Sequence, residues 1–558
     1  MGTRGTVGVG LAAAIAAVAI GACGGSSTTS SSSAGGGSAT VNGGDVSVLL
    51  TSAPDSLDPA VGTLSDMWDT FQNVYTPLLT YKPVSGAGSL EIVPGLATAM
   101  PVITDGGKTY TLYLRKGLKF SDGQPVVASD FKYALDRAIR LNSPQDYMVE
   151  PVVVGSAAVL NGKAKTVSGV STNDATGKIV VRLNYPDGQV EEGLAYAFAA
   201  PIPAGTPIKN LANNPPPGVG AFKIADVKPN NGYVMVKNPY FTGLPNEQAA
   251  HLDEVTFSVE TNASSAAEQV IANQADLFDP WGTLPSAMIG QVNALGASRY
   301  GKVTAANTNF WAFNVNRPPF NNQLVREAAT MALDKSAMSR LAGGFVTPWC
   351  SMLPPGVGGA PSASDPCPYY GKLTGSGNIA AAKQLIKQAG AVGEPVQIWS
   401  VSSPPYSDWA DYYASVLNQI GLKASEHLLG NATYWQTIIS PKVSAPTEFG
   451  SNSPSSRDPL DMFALVNATN IASGLDPGHV DDPAIQRQIA ALQQYPASED
   501  APAYLARVRA LNDYVNRKAY VLTFGLLDFP VLTSNRVDHS SIVYNEEFGV
   551  EYNMMKLR

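Results

Sequence analysis

Two hydrophobic periods alternate along the chain. Tyr110, Leu112 and Leu114 are interleaved with Thr111 and Tyr113, and Val255, Phe257 and Val259 repeat the same two-residue rhythm. Each run predicts a strand with one buried face. Phe131, Ala134, Leu135, Ala138 and Ile139 recur instead every three or four positions, the apolar stripe of a helix expected to start near Asp130. A second helix is expected over about 379–389, with Ile379, Ala382, Leu385, Ile386 and Ala389 on one face and Gly390 where a left-handed C-cap belongs. A third surrounds Val325 and Leu333. Strand-like and helix-like runs are mixed rather than segregated, which favours an α/β or α+β body, and no repeat of solenoid length is visible. Proline and glycine clusters at 215–220, 348–359 and 454–459 punctuate it.

The N-terminal segment departs from this pattern. Arg4 precedes an apolar stretch, 7–20, that is short and alanine-rich for a membrane span, so residues 1–22 read as a secretory signal peptide. The stretch ends in Ile20-Gly21-Ala22-Cys23, which resembles a bacterial lipobox and makes Cys23 the expected lipidation site; an ordinary secretory signal containing a cysteine is the alternative. Residues 24–44 are nearly all Gly, Ser, Thr and Ala, a composition that buries no core. With Cys23 they form an expected tether, 23–44, whose random-coil reach is roughly 25 Å. The folded body is expected from Asp45.

Composition narrows the function. A length of 558 residues exceeds one ordinary domain and predicts two or three lobes. The 37 basic against 45 acidic residues include no dense basic run, which argues against a nucleic-acid partner. With Cys23 assigned to lipid, Cys350 and Cys367 remain, and export to an oxidising compartment predicts a disulfide between them, with two free thiols as the alternative. The four histidines, His251, His427, His479 and His539, have no metal-binding spacing. Gly106-Gly107-Lys108-Thr109 lacks the leading glycine of a phosphate loop, since position 102 is Val102. No nucleophile elbow or Cys-x-x-Cys pair appears. No cofactor and no catalytic residue are therefore expected.

One stretch carries a resemblance. From Tyr110 the chain reads TLYLRKGLKFSDGQPVVASD to Phe131 after that tyrosine, a strand, a tight turn at Asp122-Gly123 and a helix start at Ser129 or Asp130. It resembles the signature of the family 5 extracellular solute-binding proteins, the peptide and nickel receptors of ABC importers. Further landmarks follow in the family's order: Ser56-Leu57-Asp58-Pro59, Val74 to Leu79, Pro94-Gly95-Leu96-Ala97, Gly218 to Lys223, Lys237 to Phe241, Phe313 to Asn316 and Ala332-Leu333-Asp334-Lys335. The resemblance covers nearly all of the chain after the tether. It implies an α/β, two-lobed periplasmic-binding-protein-like clamp (type II, cluster C) with an extra inserted subdomain. Residues 45–76, 218–304 and 523–558 would form lobe I, 77–217 the inserted subdomain and 305–522 lobe II.

The resemblance also implies ligand contacts. The segment after Ser56-Leu57-Asp58-Pro59 points to Thr63, Leu64 and Ser65, the aromatic after the subdomain's first helix to Tyr147, and the tryptophan after the second lobe's glycine helix to Trp435. Core packing is the alternative for the two aromatics. Peptide binders of the family carry a tryptophan and an aspartate shortly before a proline, the aspartate meeting the ligand's α-ammonium group. Here, with Pro459 as that proline, the frame holds Asn452 and Ser455 instead, so the anionic anchor is missing from its usual place unless Asp458 or Asp461 supplies the charge from a shifted position, and a neutral site would not favour a free ammonium. Arg457 and Asp458 are candidate polar contacts, a solvated surface pair being the bland alternative.

These readings converge on a non-enzymatic, monomeric lipoprotein held at the outer face of the bacterial plasma membrane. It would capture a small solute, first of all an oligopeptide, and hand it to an ABC permease. A non-peptide solute, a signalling or envelope role, and a secreted hydrolase are the alternatives.

Overall fold

The computed structural model describes residues 43–558 except 63–66, 363–366, 368, 371–374, 439, 441–443, 455–457 and 494–501, and excepting the side chains of 87, 147, 432 and 473. Among them, strands and helices mix into three main sheets. The first has five strands in the order Leu277–Phe278, Asp45–Leu50, Glu254–Val259, Gly232–Lys237 and Phe222–Lys228. The first three run parallel and the rest antiparallel. The second has six strands: Val346–Pro348, Val521–Leu532, Tyr300–Phe313, Thr447–Asn452, Pro395–Val401 and Lys423–Leu429. The third is antiparallel, in the order Val102–Thr104, Thr109–Tyr113, Lys178–Arg182, Val170–Asn173.

The sequence periods account for these elements. In Thr109–Tyr113, Tyr110 and Leu112 point into the core while Tyr113 is exposed. Val255 and Phe257 are buried in Glu254–Val259. The helix expected from Asp130 starts earlier, spanning Ala128–Arg140. Asp130 sits one turn in, and its carboxylate accepts the Val127 N–H at 2.9 Å, so it caps from inside the first turn. The tight turn before it is present: the Gly123 N–H donates to the Phe120 carbonyl at 2.8 Å with Gly123 at φ 89°. Helix Ile379–Gln388 opens on the Asn378 side chain, which accepts the Ala381 N–H, and its neighbour Gln323–Ala332 opens on Asn322.

Two long strands link the first two sheets. Tyr300–Phe313 and Val521–Leu532 pair antiparallel from Tyr300 opposite Leu532 to Ala312 opposite Val521. At one end Val531 joins the core around the first sheet, which includes Val48 and Phe257; at the other, Trp311 and Leu522 join the core around the second, with Trp409 and Phe449. The ladder between them breaks its register between Thr304 and Thr308. Glycines let other segments close up. A Cβ on Gly218 or Gly220 would stand 2.3 or 2.6 Å from the carbonyls of Val74 and Asn73, so this glycine pair lies flush on the end of helix Trp68–Val74.

Asp58 and Arg137 form a buried joint. The Arg137 guanidinium meets the Asp58 carboxylate at 2.9 and 2.5 Å and also donates to the Pro207 and Lys209 carbonyls. Asp58 further accepts the Ala60 and Leu211 N–H groups. One landmark loop, the signature helix and the 207–211 loop are thereby fastened together.

Candidate ligand cavity

A cavity of about 990 Å³ opens where segments attached to all three sheets meet. Tyr110 and the loop from Tyr185 to Gln189 come from the third sheet's side, Trp68, Trp281, Glu546 and Glu547 from the first sheet's side, and Asn452, Asp458, Asp461 and Tyr504 from the second's. Its volume is that of a pocket able to enclose a small organic ligand or short peptide.

Aromatic rings make one wall. Trp68 meets Tyr196, Trp281 and Phe548 edge-on, with centroids 6.1 to 6.3 Å apart. Trp281 is held by its turn, its N–H donating to the Asp279 carboxylate, which also accepts the N–H and hydroxyl of Thr51. Rings fixed in this way offer both apolar area and a negative π face.

Carboxylates stand among the neutral polar and apolar residues of the remaining lining. Five of them line the cavity, Asp187, Asp458, Asp461, Glu546 and Glu547, and among the described lining residues there is no lysine, arginine or histidine. Asp458 accepts the Leu460 N–H at 3.0 Å and the Tyr504 hydroxyl at 2.9 Å. Burial, with the charges of Asp461 and Asp187, pushes its carboxyl up to about 6. Burial and the Asp461 charge likewise raise Asp187. Glu547 accepts a hydrogen bond from the Tyr196 hydroxyl and is pushed up to about 7, mainly by burial. Glu546 is pushed up to about 8 by burial, offset in part by the Ala306 N–H, and its buried Oε2 has no hydrogen-bond partner. The cavity is also spanned: Gln189 Nε2, from helix Gln189–Gly193, donates to Asp461 Oδ1 on helix Leu460–Phe463.

The residues named from sequence are distributed unevenly. Asp458 lines the cavity, as does Asn452. Trp435 does not; its ring packs on Tyr434 and Phe449 in the second core, and its Nε1 donates to Asn431. Half-buried, it packs against the second core from helix Asn431–Ile438, a placement compatible with the core-packing alternative. Thr63, Leu64, Ser65, Ser455, Arg457 and the side chain of Tyr147 lie outside the described residues. Sequence reasoning missed Trp68, Trp281, Tyr196, Asp187, Glu546 and Glu547. The adjacent Glu546-Glu547 pair in a chain with only 15% charged residues was the one local signal available. The sulfurs of Cys350 and Cys367 stand at bonding distance, with Cα atoms 5.1 Å apart. Among the described residues, no three His, Cys, Asp or Glu side chains form a metal-binding group, and no helix is long and apolar enough to cross a membrane.

Comparison with known proteins adds the decisive observation. The family described as bacterial extracellular solute-binding proteins, family 5 Middle, matches residues 91–469. The chain belongs to the family 5 solute-binding proteins. Among its relatives, this family 5 protein is 29% identical over 319 residues to a probable deoxycholate-binding periplasmic protein, YgiS, of Escherichia coli, covering 54% of the chain and 56% of the relative. It is 26% identical over 324 residues to the oligopeptide-binding protein OppA of Bacillus subtilis, covering 56% and 57%. It is 26% identical over 386 residues to the glutathione-binding protein GsiB of Salmonella paratyphi A, covering 68% of each. The match thus spans little more than half the length of the first two relatives. In fold, the family 5 protein superposes on clavulanic acid biosynthesis oligopeptide binding protein 2 with a TM-score of 0.81 at 21% identity, covering 93% and 96% of the two chains. The unliganded open form of the murein tripeptide binding protein MppA gives 0.75 at 20% identity, covering 93% and 99%. The two-lobed, mixed α/β architecture expected from the landmarks is the observed one.

Proposed function

We propose that the protein captures an oligopeptide between two lobes and delivers it to the permease of an ABC importer. The observation that carries this reading is the cavity itself: large, walled by fixed aromatic rings and carboxylates, and set at the meeting of the three sheets of a solute-binding fold. Lobe I takes 45–76, 218–304 and 523–558, the inserted subdomain 77–217 and lobe II 305–522. The paired strands Tyr300–Phe313 and Val521–Leu532 are the crossing, and their break between Thr304 and Thr308 is the hinge. A ligand touching both sides favours the shut form by its differential affinity, which is what capture requires.

Asp458 and Asp461 supply the anionic anchor that Asn452 and Ser455 lack. Both belong to lobe II and face the cavity, where a peptide's α-ammonium group would meet them. The acidic lining also weighs against an anionic solute, because a sixth carboxylate brought among these five finds no positive side chain among the described lining residues. Outside the cavity, Cys23 carries the lipid, the tether holds the body at the outer face of the plasma membrane, and Cys350–Cys367 is an oxidised bridge. The body acts as a monomer and as a binder, not an enzyme.

Native mass spectrometry of the soluble body from Asp45, purified from rich medium, tests the reading. Co-purified masses that fragment as peptides support it; a bound non-peptide solute, or a substrate turned over, replaces it.

A further inference from the structure

The acidic lining is more than one ammonium group requires. Asp458 and Asp461 occupy one side of the cavity and already answer the need for an anchor. Glu546 and Glu547 come from a separate stretch of chain close to the C-terminus, beside Trp68 and Tyr196, with the Asp461 charge felt at Glu547. Glu547 is only 5% exposed, and its hydrogen bond from Tyr196 fixes the carboxylate without neutralising it. Glu546 carries a buried oxygen that accepts nothing. A buried carboxylate without a cation is costly to keep, and folds normally supply an arginine or remove the acid. Here the fold keeps Glu547 buried and Glu546 half-buried at the wall of a cavity also lined by Trp68 and Trp281, side chains whose rings attract cations.

We propose that Glu546 and Glu547, with the rings of Trp68 and Trp281, form a second cation-binding subsite that selects peptides bearing a lysine or arginine side chain. The inference rests on the peptide reading above and adds to it a substrate class: basic rather than neutral peptides. The α-ammonium group is taken by the lobe II aspartates, and the side-chain ammonium or guanidinium reaches the glutamate pair. The ligand then provides the positive charge that the wall lacks, so binding strength follows the ligand's side-chain charge.

Isothermal titration of the full mature body tests this with four probes: an alanine tetrapeptide, the same peptide with one lysine, its Nε-acetyl-lysine counterpart, and the diamine cadaverine. Acetylation leaves the backbone and most of the side chain in place while deleting the charge. The expected result is binding of the lysine peptide at least tenfold tighter than the acetylated one. Glu547→Gln and Glu546→Gln should each shrink that ratio. Equal affinity for the two peptides in the unmodified protein overturns the subsite without needing either variant to fold. An undiminished ratio in both variants overturns it as well. Binding of cadaverine with no binding of any peptide supports the cation subsite but removes the peptide reading; tight binding of all three peptides alike does the reverse. No binding of any probe counts against the subsite.

Discussion

Two buried carboxylate clusters in this molecule are built in opposite ways. At Asp58, the acid is matched by the Arg137 guanidinium and by two backbone N–H groups, and the arginine spends its remaining donors on two carbonyls. At Glu546 and Glu547, the acids receive a tyrosine hydroxyl and a single backbone N–H, and no basic side chain is among the described residues lining their cavity. The first arrangement is complete within the chain and so can only hold it together. The second is incomplete, and burial answers the deficit by raising both carboxyls toward neutrality. A satisfied buried charge marks a joint; an unsatisfied one beside a cavity marks a place for something else to bind.

The contrast is most sharply tested by removing the arginine. Arg137→Met should cost about 3–5 kcal/mol in urea unfolding, because it leaves Asp58 buried without its counter-charge. A loss below about 1 kcal/mol would show that the joint is not one. The glutamates predict the opposite pH behaviour from a salt-bridged acid. Their folded-state values, about 8 for Glu546 and about 7 for Glu547, lie above the 4.5 of an ordinary glutamate, so the folded chain holds protons that the unfolded chain has released. Buried Glu247 and Glu448, each pushed up to about 8 by burial, act the same way. Stability should therefore fall as pH rises from 6.5 to 8, by about 1.4 kcal/mol per pH unit for each net proton held. His251, His479 and His539, all lowered by burial, act oppositely but below their usual range near 6.5. A flat or rising melting temperature across that window would contradict the assignment.

Smaller effects refine the comparison. Glu547→Gln keeps an acceptor for Tyr196 and deletes the buried charge, so it should stabilise the unliganded protein by about 1 kcal/mol at pH 8 and by nothing measurable at pH 5.5, a difference that thermal melts can resolve. Gln189→Ala removes the hydrogen bond that spans the cavity to Asp461, and should cost about 1 kcal/mol or less in the same assay. If Gln189→Ala proved as damaging as Arg137→Met, the spanning contact would be a joint rather than an adjustable one.

Much of this architecture was legible in the sequence because it is written locally. The two-residue period at Tyr110 to Leu114 and the three-to-four period at Phe131 to Ile139 report which face is buried, and strand and helix follow from that. The start of the signature helix was displaced because an acidic residue inside the first turn and one before it give similar signals; Asp130 reaches back to Val127. The cavity was far less legible. Asp458 could be named from its place before Pro459, but Asp187 and Glu547, which share its cavity, lie far from it in the chain. In the run from Asn545 to Phe548 the adjacent glutamates are the only local signal, and the wall they belong to exists only once Tyr196 is folded against them. Trp435 illustrates the converse, since an aromatic at a plausible position packs on Phe449 and stands apart from the residues lining the cavity.

The interrupted ladder between the two long strands has a mechanical meaning. A pair of hydrogen-bonded ribbons resists bending along its length, and stiffness drops where rungs are missing, here between Thr304 and Thr308. The Ala306 amide in that gap faces the Glu546 carboxylate. The interrupted stretch of the ladder thus shares a contact with the cavity wall, so a change of charge at Glu546 reaches that stretch directly.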